Sequence, residues 1–95
     1  MTSNPASMTD ESCVYLLRCG DGSLYCGWTT NIQRRLAMHV AGRASRYTAS
    51  RLPVDLVLCT PMADRSAARR EEARIKRLTR AQKLELVAGK GAPSA

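Results

Sequence analysis

The sequence has few aromatic residues and few candidates for a metal cluster. Its 95 residues include no Phe, one Trp and three Tyr, so aliphatic side chains must supply most of a modest core. There is one His, and no C-x-x-C pair occurs among Cys13, Cys19, Cys26 and Cys59. This spacing argues against a structural zinc site. We interpret the cysteines as small buried residues in a reducing compartment, which predicts a cytoplasmic protein.

Long apolar runs and acidic residues are also scarce. No run approaches the ~20 residues of a membrane span, and residues 1–11 lack the basic head and apolar segment of a secretory signal. We therefore expect no membrane association. The 15 Lys and Arg outnumber the 8 Asp and Glu, which gives a net charge of +7. In so small a chain this surplus predicts an anionic partner, above all nucleic acid, with simple solubility as the alternative.

The chain is predicted to form one domain between two tails. Residues 1–11 are polar and lack periodicity, and residues 89–95 read GKGAPSA. Both segments are expected to be disordered, which leaves the domain at residues 12–88.

The first ordered segment predicts a β-hairpin. Two β-rich runs flank the GDG at positions 20–22, which favours a three-residue loop with Gly22 in the left-handed conformation. That loop length pairs Tyr15 with Gly27 and places Tyr15 and Tyr25 on the same face of the sheet. A two-residue loop would place the two tyrosines on opposite faces.

A helix is predicted directly after the hairpin. Thr30 and Gln33 have the spacing of a capping box, and Gly42 is a suitable stop. Arg35 and His39 lie four residues apart, so they share a helix face that we expect to look toward the sheet edge. The predicted apolar stripe comprises Ile32, Leu36 and Val40.

Basic side chains surround an aromatic one at positions 42–53, which we interpret as a loop. Such interleaving suits a nucleic-acid backbone and a stacked base. The alternative is a solvated loop in which the tyrosine packs locally. The predicted nucleic-acid contacts in this segment are Arg43, Arg46, Tyr47 and Arg51.

The next segment predicts a strand and a helix. Residues 54–60 are almost continuously apolar, which is typical of a strand in the centre of its sheet. Asp64 or Ser66 would cap a helix that ends near Arg77, and Glu72 falls on its inward stripe, with Glu71 to one side. An inward carboxylate needs a positive partner or a metal. The pattern alone favours a structural ion pair.

A last helix opens with the capping-box spacing of Thr79 and Gln82 and is expected to bury Leu84 and Val87. The predicted fold is therefore α+β, a small three-stranded antiparallel sheet flanked by helices in the order β-β-α-β-α-α.

The ordered motifs resemble those of the GIY-YIG nuclease superfamily. VYL at positions 14–16 and YCG at 25–27 are similar to its two signature tripeptides. The later run, from DRS at 64–66 to RAQK at 80–83, is similar to the small standalone bacterial members, the uncharacterised UPF0213-like group. The resemblance covers about residues 13–87.

This resemblance implies the GIY-YIG fold and a metal-dependent endonuclease that hydrolyses DNA to 5′-phosphate and 3′-hydroxyl ends. Arg35 and Glu72 match the family's spacing, whereas their neighbours Arg34 and Glu71 do not. Gly27 is the motif glycine. The implied catalytic residues are Tyr15, Tyr25, Arg35, His39 and Glu72.

Each catalytic residue takes an implied role. Glu72 would hold Mg²⁺ or Mn²⁺, Arg35 would brace the phosphate oxygens, and Tyr15 would activate the attacking water. Tyr25 would bind the phosphate or share that proton. His39 would orient a tyrosine or relay the proton, with simple packing as its alternative.

The expected partner is DNA, recognised by its structure rather than by its sequence. The candidate forms are nicked, branched and single-stranded DNA. Lys76 joins the predicted nucleic-acid contacts. RNA is an alternative substrate to DNA, and a weak homodimer is an alternative to a monomer. A DNA-repair role is a guess from the fold's relatives. The alternative function is a catalytically weak or inactive nucleic-acid-binding module with the same fold.

Overall fold

A computed structural model describes residues 11–91, which form a three-stranded antiparallel sheet with helices on both faces. The strands are β1 (Cys13–Arg18), β2 (Leu24–Thr29) and β3 (Asp55–Pro61). The helices are α1 (Ile32–Val40), the one-turn α2 (Arg46–Ala49), α3 (Arg65–Lys76) and α4 (Arg80–Gly91). The predicted fold class and element order are confirmed, with α2 as an addition inside the segment expected to be a loop.

The predicted tails fall largely outside the described residues. Residues 1–10 and 92–95 are not described, so the expectation for them stays a prediction. At the other boundary, α4 continues to Gly91, past the domain end expected at residue 88. No helix in the described part of the chain is long and apolar enough to cross a membrane.

The hairpin has the predicted three-residue loop. The Gly22 N–H donates to the Cys19 carbonyl and the Cys19 N–H donates to the Ser23 carbonyl, both at 2.9 Å. Gly22 has φ +86°, a conformation that costs glycine nothing. Tyr15 consequently lies opposite Gly27, and the two strands keep this register along their full length. The odd loop length therefore places the two tyrosines of the hairpin on one face.

The strand order is β2-β1-β3, so β1 is the central strand and β3 lies at an edge. The prediction that the apolar run at 54–60 is central was wrong. A bulge between Leu16 and Leu17 of β1 leaves Val57 of β3 as an extra residue in the ladder. Cys59 of β3 is exposed, which also corrects the expectation that all four cysteines are buried.

Alternate residues of β1 supply two separate cores. Val14 and Leu16 pack with Cys26 and Leu58 against α3, joined by half-buried Trp28. Trp28 therefore lies on the face away from the tyrosines, as its parity predicts. On the other face, Tyr15, Leu17, Cys19 and Val54 pack against Ile32 and Leu36 of α1.

Three helix details differ from the sequence expectation. The cap of α1 is Asn31 rather than Thr30, because the Asn31 Oδ1 accepts the Arg34 N–H at 3.0 Å. Val40 is 58% exposed and so lies off the apolar stripe. In α4 Leu84 is exposed, while Leu86 and Val87 pack on the core.

The caps of the two later helices agree with their predictions. The Asp64 carboxylate accepts the Ala67 N–H at 2.8 Å, which selects Asp64 over Ser66 as the cap of α3. Thr79 and Gln82 form a reciprocal capping box at the start of α4.

Candidate active site

The site begins with a close approach between two strands. Tyr15 is 1% exposed, and its ring lies across Gly27 on the edge strand β2. A Cβ at position 27 would lie 2.5 Å from the Tyr15 Oη. Because real Cβ atoms do not come so close to a neighbour, the absence of a side chain at Gly27 lets the phenol occupy this position.

His39 on α1 lies directly against the Tyr15 hydroxyl. The His39 Nε2 is 2.9 Å from the Tyr15 Oη, and the imidazole is 1% exposed. The ring meets Tyr15 and Tyr25 edge-on, with centroid separations of 5.7 and 5.3 Å. Burial, and then the positive charge of Arg35, lower the pKa of His39 below its ordinary value, so the imidazole is neutral at neutral pH.

A buried threonine completes this chain of contacts. The His39 Nδ1 is 2.8 Å from the Thr48 Oγ1, and Thr48 on α2 is fully buried. Its hydroxyl lies 3.0 Å from the Ser45 Oγ, and Ser45 caps α2 by accepting the Thr48 N–H. The short helix α2 thus holds one hydroxyl against the imidazole.

The neutral imidazole has one tautomer that satisfies every group in this chain. A protonated Tyr15 donates to the His39 Nε2, so the imidazole hydrogen lies on Nδ1 and is donated to Thr48. The Thr48 hydroxyl then donates to Ser45. In the other tautomer the phenol hydrogen would lose its partner within the described residues.

The electrostatic surroundings of Tyr15 involve two further predicted residues. Burial raises the pKa of Tyr15 to about 12, against a lowering by Arg35 and a further raising by Tyr25 and Glu72. Both Arg35 and Glu72 are therefore close enough to act on the phenol. Since a phenol with a pKa of about 12 is protonated at neutral pH, Tyr15 needs a partner base to lose its proton.

The two arginines of α1 differ in placement. Arg35 is half-buried and lines a cavity beside the site, whereas Arg34 is exposed. The inward orientation predicted for Arg35 is the one observed.

The two glutamates of α3 are both half-buried and differ in their partners. Glu71 forms a bidentate pair with Arg74, at 2.9 and 2.6 Å. Glu72 lies between buried Ala68 and Ile75 on the inward stripe, with its side chain 21% exposed and its Oε2 at 3.4 Å from the Lys76 Nζ. Lys76, a predicted nucleic-acid contact, is thus engaged with the predicted metal carboxylate.

The donor set fits a weakly held hard cation. Among residues 11–91 no three His, Cys, Asp or Glu side chains converge, which leaves Glu72 as a lone carboxylate beside the tyrosines. Mg²⁺ is commonly bound by one or two carboxylates with waters and a substrate phosphate oxygen. Glu72 therefore suits such an ion once Lys76 moves aside.

In the basic segment at positions 42–53, one half contacts the hairpin and the other half is exposed. Arg51 lies over the Tyr47 ring at 3.8 Å from its centroid and pairs with Asp21 at 3.0 Å. The Tyr47 ring also lies against Tyr25, with centroids 5.7 Å apart and the ring planes tilted by 30°. These contacts tie α2 to the hairpin loop. Arg43 and Arg46 are exposed along a shallow cavity of about 310 Å³ on the outer side of α2.

The structure thus brings Tyr15, Tyr25 and His39 into contact, with Arg35 and Glu72 close by. It places Arg43 and Arg46 apart from them. Sequence reasoning missed the buried hydroxyl of Thr48, although Ser45 three residues earlier has the spacing of a helix cap.

Comparison with known proteins shows the family of this chain. A family model for the GIY-YIG catalytic domain matches residues 11–85. The UPF0213 protein of Nitratidesulfovibrio vulgaris is 53% identical over 75 residues, covering 79% of this chain and 68% of that protein. That of Natronomonas pharaonis is 47% identical over 81 residues, covering 85% and 95%.

Two solution NMR structures are also similar. The UPF0213 protein of Bacillus halodurans is 40% identical with a TM-score of 0.57, over 87% of this chain and 88% of that one. A protein of E. faecalis is 35% identical with a TM-score of 0.62, over 92% and 93%. A GIY-YIG domain implies a nuclease acting on nucleic acid, and such nucleases generally use divalent metal ions.

Proposed function

The chain belongs to the GIY-YIG family, and on that basis we propose that it is a metal-dependent endonuclease that hydrolyses DNA phosphodiester bonds. The observation that carries the proposal is the buried Tyr15–His39 hydrogen bond, with Arg35 and Glu72 acting on the same phenol. A phenol and an imidazole joined by a hydrogen bond can relay a proton. Apolar side chains would pack this face of the sheet without such a pair.

The relay supplies the base for the attacking water. As the water oxygen bonds to phosphorus, its proton passes to the Tyr15 Oη and the phenol proton passes to the His39 Nε2 at 2.9 Å. The imidazole can accept that proton because it is neutral at neutral pH, the state that its lowered pKa maintains. Thr48 accepts the Nδ1–H throughout and so keeps Nε2 directed at the phenol. The P–O3′ bond breaks, and the leaving O3′ takes a proton from solvent water while His39 later returns its own to solvent, which leaves 5′-phosphate and 3′-hydroxyl ends.

Three other side chains act on the phosphate. The Arg35 guanidinium would brace the non-bridging oxygens, since its planar fork matches two of them at once. Tyr25, on the same face as Tyr15, would donate its hydroxyl to the phosphate. Glu72 would hold Mg²⁺ or Mn²⁺ with waters and a phosphate oxygen. The ion, when bound, neutralises charge that develops on the phosphoryl oxygens.

A second candidate function is a binding module with little or no turnover. The observation that favours it is the ion pair between Glu72 and Lys76 at 3.4 Å, which already neutralises the metal carboxylate. In that case the basic surface would bind nucleic acid and the relay would only pack the fold.

The test compares neighbouring residues on the same helices. The purified protein is incubated with nicked, branched and duplex DNA in Mg²⁺ or Mn²⁺, beside E72Q and R35Q. Loss of several kcal/mol of transition-state stabilisation predicts that either change lowers cleavage by on the order of 10³-fold. E71Q and R34Q are the matched controls, because they remove the same charges from neighbouring positions that are not among the groups shifting the pKa of Tyr15.

The controls also separate the two functions. Cleavage that survives E72Q and R35Q equally would point to a contaminating nuclease and contradict the proposal. No cleavage of any substrate, together with DNA binding that falls steeply with salt, would instead establish the binding module.

A further inference from the structure

A second polar cavity lies beside the candidate active site. It has a volume of about 250 Å³ and sits where β2 ends, between α1 and the first turn of α3. Its lining consists of Trp28, Thr29, Thr30, Arg35 and Arg65. No part of the catalytic proposal uses Arg65 or Trp28.

The cavity joins two arginines from different helices. Arg35 comes from the second turn of α1 and Arg65 from the first residue of α3. Within residues 11–91 neither guanidinium forms an ion pair with a carboxylate, and no acidic side chain lines the cavity. Two unneutralised guanidinium groups around one polar cavity are complementary to a phosphate group.

The position of Arg65 indicates which phosphate this is. Arg65 and Glu72 are seven residues apart on α3, so they share a helix face about 10.5 Å apart along its axis. Arg35 links the two places, because it both acts on Tyr15 and lines the cavity. The cavity is therefore displaced along the axis of α3 from the place where Glu72 and Tyr15 would act on a phosphate.

We propose that the Arg35–Arg65 cavity is a subsite for an uncut phosphate of the bound strand, adjacent to the phosphate that is hydrolysed, with Arg65 holding the uncut phosphate and Arg35 reaching both. This inference rests on the proposed function for its substrate and names a substrate contact, Arg65, that has no part in the catalytic roles above. A second phosphate fixed at Arg65 would align the strand along the groove between α1 and α3.

The test measures binding where cleavage cannot occur. A fluorescein-labelled twelve-residue oligothymidylate is titrated in EDTA, and its anisotropy gives the affinity. Because Trp28 is the only tryptophan, its fluorescence reports occupancy of the cavity in the same titration. We expect the wild-type protein to show both signals with one midpoint.

The variants locate the contact. R65Q should weaken binding about tenfold, as loss of a hydrogen bond to a charged group predicts. It should also reduce the slope of log K against log salt by about 0.7, the value for one phosphate of a single strand. R65K should recover part of the affinity. R70Q is the matched control, since Arg70 is exposed on the same helix and lies off the cavity.

Neutral linkages then identify the phosphate. Single methylphosphonate linkages are placed in turn along the oligothymidylate, and one position should weaken wild-type binding while leaving R65Q binding unchanged. Equal effects of R65Q and R70Q, or an unchanged Trp28 signal at saturation, would overturn the subsite. A protein that binds in this Arg65-dependent way but cuts no DNA would keep the subsite and overturn the nuclease.

Discussion

The two faces of the sheet use the same strand for different purposes. Toward α3, β1 presents Val14 and Leu16 to a wholly apolar cluster. Toward α1 it presents Tyr15, whose hydroxyl meets His39 and, through it, Thr48. The period of two along the strand therefore separates a face that stabilises the fold from one that carries the candidate chemistry. Substitutions at neighbouring residues should consequently have different effects, one on the cleavage rate and the next on the free energy of unfolding.

The sharpest contrast is between Tyr15 and Leu16. Removal of the phenol hydroxyl in Y15F takes away the proton acceptor of the relay, and general-base contributions of about 10²–10⁴-fold set the expected fall in kcat. The fold should lose only about 1–3 kcal/mol, because the His39 Nε2 is left without a partner. L16A should do the reverse: Leu16 is fully buried, so truncation should lower the free energy of unfolding by about 2–5 kcal/mol.

Urea unfolding and single-turnover cleavage on nicked DNA measure the two effects separately. The L16A protein should retain its rate per folded molecule at a temperature where it stays folded. A fall in that rate as large as that of Y15F would show that the two faces are not independent, which would remove the basis of the comparison.

A smaller effect is expected one contact further from the phenol. T48V keeps the shape of Thr48 but removes the hydroxyl that accepts the His39 Nδ1–H. The imidazole then loses its preferred tautomer, and we expect kcat to fall by on the order of tenfold, a part of the general-base contribution. T48S restores the hydroxyl and should restore most of the rate.

A readout independent of rate distinguishes positioning from packing. Nitrogen NMR of His39, the only histidine, should report the hydrogen on Nδ1 in the wild-type and T48S proteins and a mixture of tautomers in T48V. An unchanged tautomer in T48V, with slower cleavage, would assign Thr48 to packing alone.

The sequence predicts those features of the site that depend on residues close to one another in the chain. The loop at 20–22 fixes the register over six pairs, so the shared face of Tyr15 and Tyr25 and the opposite face of Trp28 follow from parity alone. Helical periodicity likewise separates Arg35 from Arg34. These determinants act within a few residues of the chain, which is why the pattern reveals them.

Other features depend on contacts between distant segments. The apolar run in β3 correctly indicates that side chains such as Val57 are packed against the core, which α4 helps to cover. It does not indicate which strands are neighbours, because an edge strand covered by a helix has the same apolar pattern as a central strand. Thr29, Thr30 and Asn31 are all good caps, and the end of β2 decides among them. Thr48 looks like one polar residue among arginines until α2 packs it under His39.

The smallest expected effect concerns the charge of His39 itself. The groups facing it are Tyr15 on β1, Tyr25 on β2 and Arg35 on its own helix. Burial first, and Arg35 second, lower the pKa of His39, so the unfolded chain binds the proton more readily than the folded one below about pH 6.5. The free energy of unfolding should therefore decrease as the pH falls through this range, and cleavage should decrease with it as the relay base becomes protonated.

R35Q sharpens this prediction because it removes the second cause and leaves the first. The pKa of His39, followed by the proton resonance of its single imidazole, should rise in R35Q yet stay below its ordinary value. R34Q, which removes the same charge from the exposed side of α1, should leave that pKa unchanged. Equal shifts in the two variants would mean that His39 senses only the net charge of the protein. The distinction between an inward and an outward arginine on α1 would then have no electrostatic consequence for the relay.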